Sequence, residues 1–137
     1  MSHLWPSQMQ WETFTRQFGA SGPVTMLNLL RYRERADYAD HPDEAPCSGR
    51  EAYRRYGSLV IPYLQACGGR VVFAGASGAA LIGPESESWD DVLLVEYPSL
   101  QGFRQMLESD RYRSFAHHRT AALQDSRLIP VSASESL

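Results

Sequence analysis

Residues 89–130 read WDDVLLVEYPSLQGFRQMLESDRYRSFAHHRTAALQDSRLIP: a strand, a helix interrupted once at Ser109-Asp110, and a second strand. The run Val92-Leu93-Leu94-Val95 is apolar at every position. Successive side chains of a strand point to opposite faces, so this run puts oily groups on both and both need cover. Helices from a chain of 137 residues can cover one face of a sheet. Something else must cover the other, and self-association is the expectation.

Working outward, Ser7 and Gln10 form a capping box that opens a helix carrying Trp11, Phe14 and Phe18 on one face, with Gly19 as its stop. After Pro23 comes a strand from Val24 to Leu30, interrupted only by Thr25 and Asn28. The polar stretch Tyr32–Cys47 is longer than a simple connection and reads as a lid, a binding loop or a disordered insertion. Ser48-Gly49-Arg50-Glu51 is a second capping box, opening a helix with Ala52, Tyr56, Leu59, Val60, Tyr63 and Cys67 inward and Gly68-Gly69 as its end. Pro62 inside that helix predicts a kink or break near residues 57–62. A strand is expected over Val71–Ile82, with a bulge or break at Gly75 and Gly78, and another over Trp89–Tyr97. Pro98-Ser99 caps the next helix, and Arg127–Val131 forms the last strand. The order is a helix followed by βαββαβ. It implies an α+β, ferredoxin-like fold in one domain over residues 1–137: a four-stranded antiparallel sheet with helices on one face. Residues 1–20 form an N-terminal appendage, and 132–137 (SASESL) a disordered tail.

A hydrophobic fraction of 43% is ample for a core, and the formal charge of −3 with no basic stripe argues against nucleic acid as a partner. All thirteen basic residues are arginine, so lysine Schiff-base and lysine general-base chemistry is excluded. Cys47 and Cys67 have no CxxC spacing, the N-terminus does not read as a signal peptide, and no apolar run is long enough to span a bilayer. A cytoplasmic protein with free thiols and no membrane partner is expected, Cys67 reading as a structural thiol.

From Pro23 to Val131 the chain resembles the DUF1330 family of the dimeric α/β-barrel superfamily. The resemblance rests on PVTMLNLLRYRERADY, SGREAYRRY, WDDVLLVEYPSL, and SDRY followed by HRTAALQDSRLIP. It implies a homodimer whose two sheets pack face to face inside a shell of helices. It carries no established activity, since the superfamily includes cofactor-free monooxygenases, muconolactone isomerases, haem enzymes and stress-related dimers.

Candidate site residues are polar groups where apolar ones belong. Asn28 shares a face with Val24, Met26 and Leu30, and either braces backbone or points into a cavity. Arg31 follows at the strand end. Glu96 closes the third strand, as a general base if it faces a dry cavity or as a structural carboxylate if an arginine meets it. His118, the position matched in HRTAAL, is either a proton carrier or a hydrogen-bonded surface or interface histidine. Tyr56 and Tyr63 are placed to offer hydroxyls over the sheet, and Tyr56 with Arg119 suits a carboxylate or phenolate. No metal or cofactor is expected, because HExxH and i, i+4 ligand pairs are absent. One cavity lined by Asn28, Arg31, Tyr56, Glu96, His118 and Arg119 is the expectation, with His118 or Glu96 moving a proton if the protein is an oxygenase or isomerase. The alternative is a non-catalytic sensor or scaffold, in which Asn28, Glu96 and His118 are all saturated by protein groups and no cavity forms.

Overall fold

The computed structural model describes residues 2–20 and 22–133. Its elements are α1 (Gln8–Phe18), β1 (Val24–Tyr32), α2 (Gly49–Ala66), β2 (Arg70–Ala76), β3 (Asp91–Tyr97), α3 (Leu100–Glu108), α4 (Asp110–Arg113), α5 (Ala116–Ala122) and β4 (Leu123–Val131). The sheet order is β2-β3-β1-β4, every neighbouring pair antiparallel, which is the ferredoxin-like arrangement. Of the expected disordered tail, residues 134–137 lie outside the described residues.

Local chemistry explains most boundaries. The Ser7–Gln10 box closes both ways at the start of α1, Ser7 Oγ accepting from Gln10 N and Ser7 N donating to Gln10 Oε1. At α2 only half the expected box forms: Ser48 Oγ accepts from Glu51 N, while the Glu51 carboxylate turns to Arg54. The helix ends in a Schellman pair, Gly69 N to Leu64 O and Gly68 N to Gln65 O, with Gly68 at φ +89°, where a Cβ is costly. α2 runs unbroken through Pro62.

Three boundaries differ from expectation. β2 stops at Ala76; Leu81 and Ile82, read as strand, are 98% and 95% exposed in a loop that pairs with no strand among the described residues. The last helical region breaks twice, Ser109 capping α4 and Ser114-Phe115 separating α5. β4 starts four residues earlier than Arg127, at Leu123, because its pairing with β1 continues past a bulge to Tyr32.

The core lies between the sheet and its single helical layer. β1 alternates with Val24, Met26, Asn28 and Leu30 buried, facing Tyr97, Val95 and Leu93 of β3's inner side. From α2 come Ala52, Tyr56, Val60 and Leu64; from the later helices, Phe103, Met106, Tyr112 and Phe115. The Tyr32–Cys47 segment is tied down rather than loose. Arg35 bridges Ser48, Ala36 N bonds Cys47 O, and Asp37 N bonds Ala121 O. Gly49 sits at this junction, where a Cβ would run into the carbonyl oxygens of Arg33 and Ala122. Gly49→Ala is therefore expected to cost about 1–3 kcal/mol, read as a lower urea midpoint at unchanged slope.

Among the described residues, no helix covers the outward face of the sheet. Phe73, Leu94, Leu27 and Ile129 are register neighbours in one row across all four strands. Phe73 is 55% and Ile129 44% exposed. No helix among the described residues is long and apolar enough to cross a membrane.

Candidate functional site

Between the sheet's inner face and the helices lies a cavity of about 840 Å³. Its floor is built by Met26, Asn28, Leu93, Val95 and Tyr97, and its walls by α1, α2 and α3. Polar groups on its lining include Asn28, Tyr53, Tyr56, Tyr97, Tyr112 and Arg119, and a second arginine, Arg127, which is paired with Asp125. Asn28 Nδ2 donates to Met26 O at 3.2 Å, so the amide braces its own strand while lining the space. Tyr56 and Tyr112 share a hydroxyl–hydroxyl hydrogen bond of 2.8 Å. Burial pushes the phenol of Tyr53 up to about 12 and that of Tyr56 well above its usual range, so both remain hydroxyl donors at neutral pH.

Arg119 is the unusual member. It is 8% exposed, donates from Nη1 to Leu4 O at 3.2 Å, and forms no ion pair with any carboxylate among the described residues. Guanidinium does not deprotonate in proteins, so the charge stays on despite burial. Among the described residues no carboxylate lines the cavity, and the one imidazole in its lining is that of His3.

The N-terminal segment covers part of the space, with His3, Leu4, Trp5, Pro6 and Ser7 in its lining. It is held by His3 N to Asp125 Oδ1 at 2.8 Å, by Ser126 Oγ to His3 O, and by the Arg119–Leu4 bond. Asp125 is 5% exposed. Burial alone would raise its pKa, but the amides of His3 and Ser126 and the Arg127 guanidinium outweigh it and hold the carboxyl below the ordinary carboxylate range. A depressed folded pKa gives stability that is full above the ordinary aspartate value of about 3.9 and is lost as pH falls through the folded value. The strap is thus expected to stay closed down to about pH 4 and release below it, followed by Trp5 fluorescence, with Asp125→Asn removing that transition.

Of the six expected lining residues, the structure brings Asn28, Tyr56 and Arg119 together at the cavity and places the other three elsewhere. Arg31 lies on the outward face, paired to Asp125 at 3.4 Å and stacked over Trp89. Glu96 lies on the same face opposite Thr25 and meets Arg70 at 3.1 Å, the structural-carboxylate alternative. His118 is buried behind the 33–48 segment, its Nδ1 2.7 Å from the Tyr38 hydroxyl. Sequence reasoning missed Tyr53 and Tyr97, and it chose Tyr63, whose hydroxyl instead donates to Ser109 Oγ. His117 and His118 also approach Glu44, the residues that could hold a metal ion.

The model of the family described as domain of unknown function DUF1330 matches residues 46–132, more than half of the chain. The chain belongs to the DUF1330 family. A protein of unknown function from Rhodopseudomonas palustris is 38% identical to this DUF1330 chain, with a TM-score of 0.88 over 98% of this chain and 99% of that one. More distant solved structures share the fold alone. A DABB family protein from Mesorhizobium loti, described as ferredoxin-like, is 8% identical at a TM-score of 0.53, over 83% of this chain and 99% of its own. A candidate antibiotic biosynthesis monooxygenase from Caulobacter crescentus is 9% identical at 0.51, over 90% and 99%. A comparison with curated proteins finds no match.

Proposed function

We propose that this DUF1330 protein binds a small, partly apolar carboxylate or phenolate in the cavity beneath its helices, and that the binding unit is a homodimer. The observation that carries the reading is Arg119: a buried cation with no acidic partner among the described residues, at the wall of a space large enough for a metabolite. An isolated buried charge is costly, and an anion in the cavity removes that cost. Tyrosine hydroxyls and the Asn28 amide complete a polar headgroup site, while Val60, Leu64, Leu93 and Val95 accommodate an apolar body.

Binding is favoured over catalysis by what surrounds the space. The phenols stay protonated, arginine cannot accept a proton, and His118 and Glu96 do not line the cavity. A cofactor-free oxygenase or isomerase, acting in the cytoplasm on the same class of compound, would need His3 as its base. The scaffold reading expects Asn28, Glu96 and His118 to have internal partners, which they do. It also expects no cavity, and the cavity favours a ligand-binding role, such as a sensor. The test is a thermal-shift series with benzoate, phenylacetate and phenolates against their neutral amides and ethers. The anions raise the melting temperature and the neutral isosteres do not; equal shifts, or none across the series, would overturn the reading.

A further inference from the structure

Outside the cavity, the 33–48 segment and the start of α5 bring a second set of groups together. Glu44 Oε1 stands 3.3 Å from His117 Nε2 and 3.9 Å from His118 Nε2, and one ligand atom from each residue lies within 4.8 Å of the others. We propose that Glu44, His117 and His118 form a binding site for a divalent first-row transition ion, which ties the long segment to α5. Two imidazoles and a carboxylate are a donor set for Zn²⁺ and its neighbours rather than for Ca²⁺ or Mg²⁺, which take oxygen.

Bonds of about 2.0–2.1 Å in a tetrahedral shell put ligand atoms roughly 3.3 Å apart. The Glu44–His117 pair, at 3.3 Å, already has that spacing; His118 Nε2, at 3.9 Å from Glu44, must move closer to it, and the two imidazole nitrogens, within 4.8 Å of each other, must also converge. The supporting contacts are those a metal-bound imidazole uses. His118 Nδ1 lies 2.7 Å from the Tyr38 hydroxyl, and in the tautomer whose Nδ1–H donates to that oxygen, Nε2 presents its lone pair on the Glu44 side. The His117 ring is flanked by His41, stacked at 4.1 Å with planes 15° apart. The charge that opposes a cation is Arg55, and it lies 3.9 Å from the other carboxylate oxygen, Oε2, so Glu44 stands between it and the ion. Glu44 is half-buried, which leaves a side open for water to complete the coordination. Neither histidine lines the ligand cavity, so the proposal is independent of the anion site.

The experiment uses the full chain stripped of metal by chelator, titrated with Zn²⁺ by calorimetry and with Co²⁺ by visible absorption. One equivalent per chain is expected, with Co²⁺ bands of a four- or five-coordinate nitrogen–oxygen site. Glu44→Gln, which keeps shape, and His117→Ala should each weaken binding by more than the roughly 10–100-fold that loss of a supporting contact costs, and Tyr38→Phe by about that amount. The Cys47→Ser/Cys67→Ser double variant should bind as the parent does. No stoichiometric binding, binding unchanged in both ligand variants, or binding lost with the cysteines would each overturn the proposal.

Discussion

In Arg119→Met, the ligand-free protein is expected to melt at or above the temperature of the parent, while the stabilisation by carboxylates disappears. Both halves follow from one imbalance. The parent keeps a guanidinium in the interior, bonded to a backbone carbonyl, Leu4 O, and beside the Tyr53 hydroxyl, with no carboxylate paired to it among the described residues. Replacing a buried ion by an apolar side chain of similar volume is commonly neutral or stabilising by about 1–4 kcal/mol. The lost bond to Leu4 O returns about 1 kcal/mol of that. The ligand half is larger. A carboxylate at a hundred times its Kd stabilises the parent by about 2.7 kcal/mol, on the order of 10 °C in a domain of this size, and Arg119→Met removes that rise. Arg119→Lys retains the charge but not the planar fork, and should recover part of it. A variant that unfolds more readily than the parent yet still responds to carboxylates would show that Arg119 is a structural strut and that the anion binds elsewhere.

How much of this could be read from the residues depends on which rule each feature obeys. Strand alternation gave Asn28 its inward face correctly, and the same alternation sends Arg31, three positions on, to the opposite side. Grouping the two in one cavity therefore fails by parity alone, as does adding Glu96 between the inward Val95 and Tyr97. Local signals served well where the chain answers to itself: Ser7 with Gln10, Gly68-Gly69, the Ser109 break and the four-strand order. They failed where a partner strand decides. Ala79-Ala80-Leu81-Ile82 has strand composition but nothing to pair with, and Leu123–Ser126 looks helical until β1 is beside it. Tyr53 and Tyr97 resemble ordinary core residues in one dimension; only the volume left between α2 and the sheet makes their positions part of a site. Glu44 is the clearest case. Seventy-three residues separate it from His117. No spacing motif connects them, and the contact exists because the 33–48 segment folds back onto α5.

The last expected result concerns the outward face: the parent protein should sediment as a dimer, and Leu94→Glu as a folded monomer. Leu94 sits in the middle of the row Phe73, Leu94, Leu27 and Ile129, and the row behind it adds Val92 and Leu29. Two half-buried leucines flanked by an exposed phenylalanine and isoleucine on a broad sheet face form a continuous apolar surface, which soluble monomers rarely leave to water. A second copy is the natural cover. Sheets stack face to face about 10 Å apart, and under two-fold symmetry the same row meets itself. Symmetry also doubles the damage, since each dimer then buries two unpaired carboxylates, each costing several kcal/mol. The dimer is expected to weaken by at least about a thousandfold in Kd, beyond the concentration range of a sedimentation run. Leu81→Glu, in the exposed loop after β2, is the matched control and should leave the dimer intact. Retained helix and strand signal in the Leu94→Glu monomer separates lost association from lost folding. A parent protein that runs as a stable monomer at all concentrations would remove the homodimer from the proposal and leave the anion cavity, which lies on the other side of the sheet, to stand on Arg119.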